Sequence, residues 1–153
     1  MSFLEIEVFD EEGNKVKVAD VLKGKWTVLY VYPRDNTPGC TTEAKEFTEL
    51  LPEFERIGFQ VIGVSRDSVE SHRRFKEKHS LRVKLLSDPE AELIKALGAW
   101  GKKKRYGKEY EGIIRSTFIL NPDGKIVWKK INVRAKGHAL KVLEEAKKLV
   151  EKP

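Results

Sequence analysis

The chain has 153 residues and a mass of 17.6 kDa, the size of one ordinary domain, so residues 1–153 are expected to share a single core. Hydrophobic residues make up 40% and charged residues 35%, which supplies a core beneath a charged shell and argues against a wholly disordered chain. The single cysteine excludes an intrachain disulfide, and 30 Lys and Arg against 24 Asp and Glu leave a net charge of +6, which raises the question of anionic partners.

The first segment alternates at Phe3, Leu4, Ile6 and Val8, meets a turn at Gly13-Asn14 and resumes at Val16 and Val18, a pattern that predicts a hairpin at a sheet edge. Glu5, Glu7 and Asp10 interrupt the apolar stretch that a secretory signal would need, and no segment approaches ~18 consecutive apolar residues. A soluble, cytoplasmic protein with no membrane partner is expected. Trp26 to Tyr32 is a near-continuous run of β-branched and aromatic residues, the mark of a strand covered on both faces. A loop with two prolines, Pro33 to Gly39, then leads into a long helix that opens at Cys40 with CTTEAKEFTELL.

Phe59 to Val64 reads as a second buried strand. Asp67 followed by Glu70 predicts a capping box for a helix to about His79. Asp88-Pro89 predicts a cap and first-turn proline for a helix over Glu90 to Leu97, stopped by Gly98. Lys102 to Arg105 is the one basic run; elsewhere acidic residues fall between basic ones, so the charge reads as a solvated face of mixed sign. Ile113 to Leu120 and Ile126 to Ile131 flank Asn121-Pro122-Asp123-Gly124 and predict an antiparallel hairpin. In the last segment Leu140, Leu143 and Val150, widened by Ala139, Ala146 and Leu149, form an apolar stripe at helical spacing. Together these elements predict an α/β domain of three layers, with a central mixed β-sheet and helices on both faces. One Met and one Gln among many Lys and Glu also resemble the composition of heat-adapted proteins.

Chemistry concentrates at Cys40. A cysteine at a helix N-terminus faces unpaired N–H groups and the positive end of the helix dipole, which favour the reactive thiolate. Glu43 is placed to reach back to the cap amide, and Pro33 and Pro38 stiffen the loop. The flanking residues Gly39, Thr41 and Thr42 are not those of a cysteine that merely fills a core.

The string YPRDNTPGCTTEA, with Pro33, Thr37 and Cys40 at its fixed spacing, resembles the active-site motif of the peroxiredoxins, in particular their bacterioferritin-comigratory or Q-type branch. Tyr106 to Ile126 is similar to the distal arginine block of that branch. The resemblance implies a thioredoxin-like fold and a thiol-dependent peroxidase that reduces hydrogen peroxide and organic hydroperoxides, without a cofactor or a metal. It implies that Cys40 attacks the peroxide and becomes a sulfenic acid. Thr37 would offer its hydroxyl to the substrate, Pro33 would shield the sulfur, and Arg115, on a strand from Ile114 to Leu120, would face Cys40 and hold the departing oxygen. Gly39 joins Thr37, Cys40 and Arg115 in the expected substrate site. Displacement on an O–O bond requires a thiolate, alignment and donors aimed at the developing oxyanion, and Arg suits the last role because it keeps its charge.

One common version of the branch carries a second cysteine five residues after the first, where this chain has Lys45. Resolution within the chain is therefore impossible, and an external thiol, thioredoxin-like, glutaredoxin-like or small, is the expected reductant. A monomer or weak homodimer is expected. A dithiol reductase would need Cys at position 43 and a cysteine phosphatase an Arg at 46, but both are Glu. A cysteine hydrolase needs a His base, and His72, His79 and His138 read as solvated surface residues. Lys102 to Arg105, with Trp100 and Tyr106 nearby, has the makings of a nucleic-acid patch. The resemblance instead favours a solvated loop and no nucleic-acid partner.

Overall fold

A computed structural model describes residues 2–151. In chain order the strands and helices are β1 (Glu7–Phe9), β2 (Lys15–Lys17), α1 (Val18–Leu22), β3 (Trp26–Val31), α2 (Pro38–Arg56) and β4 (Phe59–Ser65). There follow α3 (Val69–His79), β5 (Lys84–Ser87), α4 (Glu92–Ala96), β6 (Trp100–Arg105) and β7 (Lys108–Ile113). The chain closes with β8 (Ser116–Leu120), β9 (Ile126–Ile131) and α5 (His138–Val150). Seven strands form one sheet in the order β2-β1-β5-β4-β3-β8-β9, and β6 and β7 pair as a separate ribbon. The sheet is mixed: β3, β4 and β5 run parallel, while β8 and β9 are antiparallel at one end and β1 and β2 at the other.

β3 is the centre of the molecule, and its alternation divides the core. Val28, Tyr30 and Tyr32 point to one side, where Phe47 and Phe54 of α2, Phe75 of α3 and Val142, Leu143 and Ala146 of α5 pack against them. Leu29 and Val31 point to the other, where they meet Val21 and Leu22 of α1, Leu93 and Ile94 of α4 and Phe118 of β8. The predicted three layers are therefore present, and this is the mixed α/β thioredoxin-like arrangement.

Several local expectations are corrected. Only β1 and β2 of the N-terminal segment are strand: Phe3–Glu5 is a turn of 3₁₀ helix, and Val18 begins α1. Helix α3 is capped by Ser68, whose Oγ accepts the Ser71 N–H at 3.1 Å, and not by Asp67, whose carboxylate instead accepts from the Asp35 N–H and the Ser65 hydroxyl. Asp88 caps α4 from further away: its Oδ2 accepts the Ile94 N–H at 2.9 Å, across a turn that leaves Ala91 at φ 57° and delays the helix to Glu92. Leu140 of α5 is 53% exposed, because the buried face runs through His138, Ala139, Val142, Leu143 and Ala146. The β8–β9 hairpin is as expected, but Ile113 belongs to β7, and the basic run lies on strand β6 and not in a loop. Charged side chains at seven of the twelve positions of β6 and β7 hide the two-residue period that would mark a ribbon.

Candidate active site

β3 delivers the chain to the site. The Tyr32 N–H still donates to the Val64 carbonyl at 3.0 Å, and the loop then turns inward at the buried Asp35. The Asp35 carboxylate accepts from the Tyr32 hydroxyl at 2.6 Å and the Ser71 hydroxyl at 2.8 Å, and it lies 2.8 Å from His72 Nδ1. Its own N–H donates to Asp67 Oδ2. These bonds tie the loop to the start of α3. Thr37 then takes an extended conformation as the N-cap of α2, Pro38 occupies the first turn, and the first helical bond runs from the Thr41 N–H to the Thr37 carbonyl at 2.9 Å. Cys40 is thus the third residue of a 19-residue helix, at its positive end, with only 2% of its surface exposed.

Arg115 reaches Cys40 from the segment that leads into β8, beside the C-terminal end of β3. It lies between β7 and β8, and not on a strand as expected; its carbonyl accepts the Val133 N–H at 2.9 Å, which fixes the backbone. Its guanidinium is shared: Nη2 donates to Cys40 Sγ at 3.3 Å and Nη1 to Glu43 Oε1 at 2.5 Å. A Cβ at position 39 would stand 3.0 Å from Nη2, so the glycine leaves room for the approach. Burial works against the charge on Arg115, but Glu43 and Cys40 outweigh it and raise its already high pKa. Arg115 is therefore a fixed cation beside the sulfur.

Glu43 is not the cap residue that its spacing suggests. Its side chain is fully buried, and burial pushes it up from 4.5 to about 7 against the opposing pull of Arg115. Its Oε2 has no hydrogen-bond partner among the described residues. The i+3 spacing from Cys40 was visible in the sequence and places both side chains on one face of the helix, but the same spacing serves a cap equally well.

Thr37 Oγ1 donates to the Arg34 carbonyl at 2.8 Å, which spends its proton within the loop and leaves its lone pairs for another donor. Pro33 borders two adjoining clefts of about 440 and 500 Å³; Arg115 lies on the wall of the first, Thr37 on that of the second. The structure therefore brings Pro33, Thr37, Gly39, Cys40 and Arg115 together, and adds Glu43.

Two of the three histidines are corrected. His72 is buried, with Nδ1 toward Asp35 and Nε2 3.0 Å from the Leu86 carbonyl. His138 is buried with Nε2 2.7 Å from Thr117 Oγ1; burial lowers it from 6.5 to about 4, assisted by Lys130, Arg115 and Lys141. Helical periodicity marked neither, because the stripes around them are short and charged. Asp35, Asp67 and His72 lie within metal-binding distance of one another, yet their facing atoms are spent on the hydrogen bonds just described.

Residues 2–129 match the AhpC/TSA family. The chain is 45% identical over 150 residues to the peroxiredoxin Bcp of Bacillus subtilis, covering 97% of this chain and 94% of the relative. It is 49% identical over 135 residues to a putative peroxiredoxin bcp of Helicobacter pylori, covering 88% of each. Among solved structures it superposes on the bacterioferritin comigratory protein of Xanthomonas campestris, a protein described for alkyl peroxide reduction. There the TM-score is 0.90 at 39% identity, over 97% of this chain and 94% of that one.

Proposed function

The chain belongs to the AhpC/TSA family, as a thiol-dependent peroxidase of the bacterioferritin-comigratory type, and from that premise we propose that Cys40 is its peroxidatic residue, served by Arg115, Thr37, Gly39 and Pro33 and positioned through Glu43. The observation that carries the assignment is the 3.3 Å approach of Arg115 Nη2 to the sulfur of the only cysteine in the chain.

The Cys40 thiolate attacks the nearer oxygen of the hydroperoxide. The S–O bond forms with the sulfur lone pair as the O–O bond breaks, and the departing hydroxide or alkoxide leaves with the bonding pair and takes up a proton. Cys40 ends as a sulfenic acid, oxidised by two electrons, and the peroxide as water or alcohol plus the retained oxygen. Negative charge moves from sulfur to the leaving oxygen during this step. A guanidinium that already sits against the sulfur stabilises both ends of that movement with little reorganisation. Thr37 Oγ1, with its proton committed to the Arg34 carbonyl, accepts from the hydroperoxide O–H and aligns the O–O axis. Glu43 holds Nη1 and so aims Nη2. Pro33, on the wall of both clefts, presents no N–H to the site and limits the water around the sulfenic acid.

No second cysteine exists to form an internal disulfide, so an external thiol completes the cycle. The test is hydrogen peroxide consumption by the purified protein with dithiothreitol. Loss of turnover in Cys40→Ser, with its fold intact by circular dichroism, supports the reading; undiminished turnover overturns it.

A further inference from the structure

The charge on this protein is not spread as its sequence suggests. Three adjoining clefts lie around Arg115, the side chain that contacts Cys40. The first, of about 440 Å³, carries Lys102, Lys103 and Arg115. The second shares Pro33 and Lys103 with it and adds Arg34, Arg66 and Arg105. The third, also of about 440 Å³, shares Asn132 and Val133 with the first and adds Lys130, Arg134, Lys136 and Lys141. The only acids on these walls are Asp67, whose Oδ2 already accepts two hydrogen bonds, and Glu111. Ten of the chain's 30 basic residues and two of its 24 acidic ones therefore line these clefts; with Glu43, bonded to Arg115, the site holds ten against three, and the remainder is nearly neutral, twenty against twenty-one. The net charge of +6 is a property of the active-site mouth.

Hydrogen peroxide is uncharged and gains little from such a field. The second reactant of the cycle is a thiolate, and it does gain. Size argues further. Each cleft has the volume of a small-molecule site, and Arg115 on the wall of the first lies 3.3 Å from the Cys40 sulfur, which is itself only 2% exposed; a compact thiol fits such a setting better than a cysteine fixed on a protein surface. Resting on the assignment of Cys40 as a sulfenic acid that needs an external thiol, we propose that its reductant is a low-molecular-weight thiol bearing additional negative charge, carboxylate or phosphate, drawn in by this ring of cations.

The thiolate attacks the sulfenyl sulfur, the S–S bond forms and the S–O bond breaks, and hydroxide leaves and becomes water on protonation. A second thiolate then attacks the mixed disulfide, releasing the Cys40 thiolate and the small-molecule disulfide. Each turnover thus consumes two thiols, and the two electrons come from them.

The test separates the two half-reactions. The protein is oxidised with one equivalent of hydrogen peroxide, and reduction of the sulfenic acid is followed by rapid mixing with 3-mercaptopropionate, 2-mercaptoethanol or cysteamine. These thiols are of similar size and are respectively anionic, neutral and cationic; rates are compared per thiolate present. The expected order is anionic, neutral, cationic, with a spread of about tenfold at low salt that collapses as salt is raised. Reversing charge in the third cleft with Lys136→Glu and Lys141→Glu together should remove most of the advantage of the anionic thiol over the neutral one. Equal rates for the three thiols, a spread insensitive to salt, or an unchanged ratio in the double variant overturns the proposal. So does faster reduction, per thiolate at low salt, by an acidic dithiol protein such as a thioredoxin than by 3-mercaptopropionate. Failure to form a sulfenic acid on Cys40 in the first step would instead overturn the function proposed above, so the two failures are distinct.

Discussion

Glu43 and Arg115 form a buried ion pair in which one carboxylate oxygen lies 2.5 Å from Nη1 and the other has no partner among the described residues. A buried carboxylate satisfied on one side only is expensive to ionise. Its proton is therefore held to about pH 7 in the folded protein and lost near 4.5 when the chain unfolds. Between those values the native state binds more protons, so the contribution of Glu43 to stability is full below pH 4.5 and is lost as pH rises through 7. The loss is on the order of 3 kcal/mol from 1.36 kcal/mol per unit. Denaturant titrations of wild type and Glu43→Gln should diverge over this interval, the variant gaining on the wild type as pH rises. Parallel curves from pH 4 to 8 would remove Glu43 from the ionisable core.

His138 should produce the opposite slope. Buried against Thr117, it titrates near 4 in the folded protein and near 6.5 in the unfolded one. Its contribution is therefore present above pH 6.5 and lost as pH falls through 4. His138→Gln, which retains a partner for the Thr117 hydroxyl, should flatten the acid limb by about 2–3 kcal/mol. Because the Glu43 and His138 terms oppose one another across nearly the same window, the wild type should change little there while the two variants tilt in opposite directions. Urea midpoints at pH 4, 5.5 and 7 are enough to detect this.

Removing the guanidinium should hurt the first half-reaction most. Loss of one donor aimed at a developing oxyanion typically costs ~100- to 1,000-fold, and Arg115→Ala is expected to slow peroxide attack by that order. Arg115→Lys should recover little of it, since one ammonium cannot hold Glu43 and face the sulfur in the same fork. Gly39→Ala tests the same contact without touching charge. Its Cβ would crowd Nη2 at 3.0 Å, so peroxide attack should slow, while helix propensity alone would favour Ala by ~0.5–1 kcal/mol. A Gly39→Ala protein with wild-type kinetics would show that Arg115 yields easily. Rapid mixing with substoichiometric peroxide reads both variants.

The strand–loop–helix unit was legible because its signals are local: a β-branched run from Trp26, a proline-stiffened loop running into a helix at Cys40, and a motif of fixed spacing; the helix itself starts two residues earlier, at Pro38, with Thr37 as its cap. Arg115 was legible only through resemblance, since nothing around it announces which side chain it meets 75 residues away. What stayed hidden depended on distant parts of the chain. His72 and His138 are buried by β5, β8 and α2 and not by their own helices. The basic ring is assembled from Arg34, Arg66, residues 102–115 and residues 130–141; acids adjoin or interrupt the first three, while the last lies in an acid-free stretch from 124 to 143. Only the last stretch shows its charge in the sequence; that all four meet at one place is decided by the fold.

Without a reductant, oxidation should run past the sulfenic acid. Stepwise peroxide addition should give intact masses heavier by one, two and then three oxygens, all absent in Cys40→Ser. Lys45→Cys should not rescue the folded enzyme at once. Five residues of helix separate the two positions by ~7.5 Å along the axis, beyond the reach of a disulfide unless the first turn unwinds. Loss of two hydrogens in Lys45→Cys, accompanied by reduced helicity, is the expected signature. A disulfide formed with helicity unchanged would contradict the helical geometry of α2.

The bonds that converge on Asp35 have a consequence for how mutations combine. Tyr32, Ser71 and His72 all direct donors to one carboxylate, and the Asp35 N–H is held by Asp67, which also receives Ser65. His72 stands between two elements, with Nδ1 2.8 Å from the Asp35 carboxylate and Nε2 3.0 Å from the Leu86 carbonyl, so it links the loop to β5. Removing any one donor leaves the same carboxylate under-satisfied, and removing a second adds less than the first. Double replacements within this set should therefore show strong positive epistasis, whereas pairs that join one member to the Asn121–Gly124 turn, at the opposite end of β3, should simply add. In that sense the residues beneath the active-site loop behave energetically as a single heritable unit.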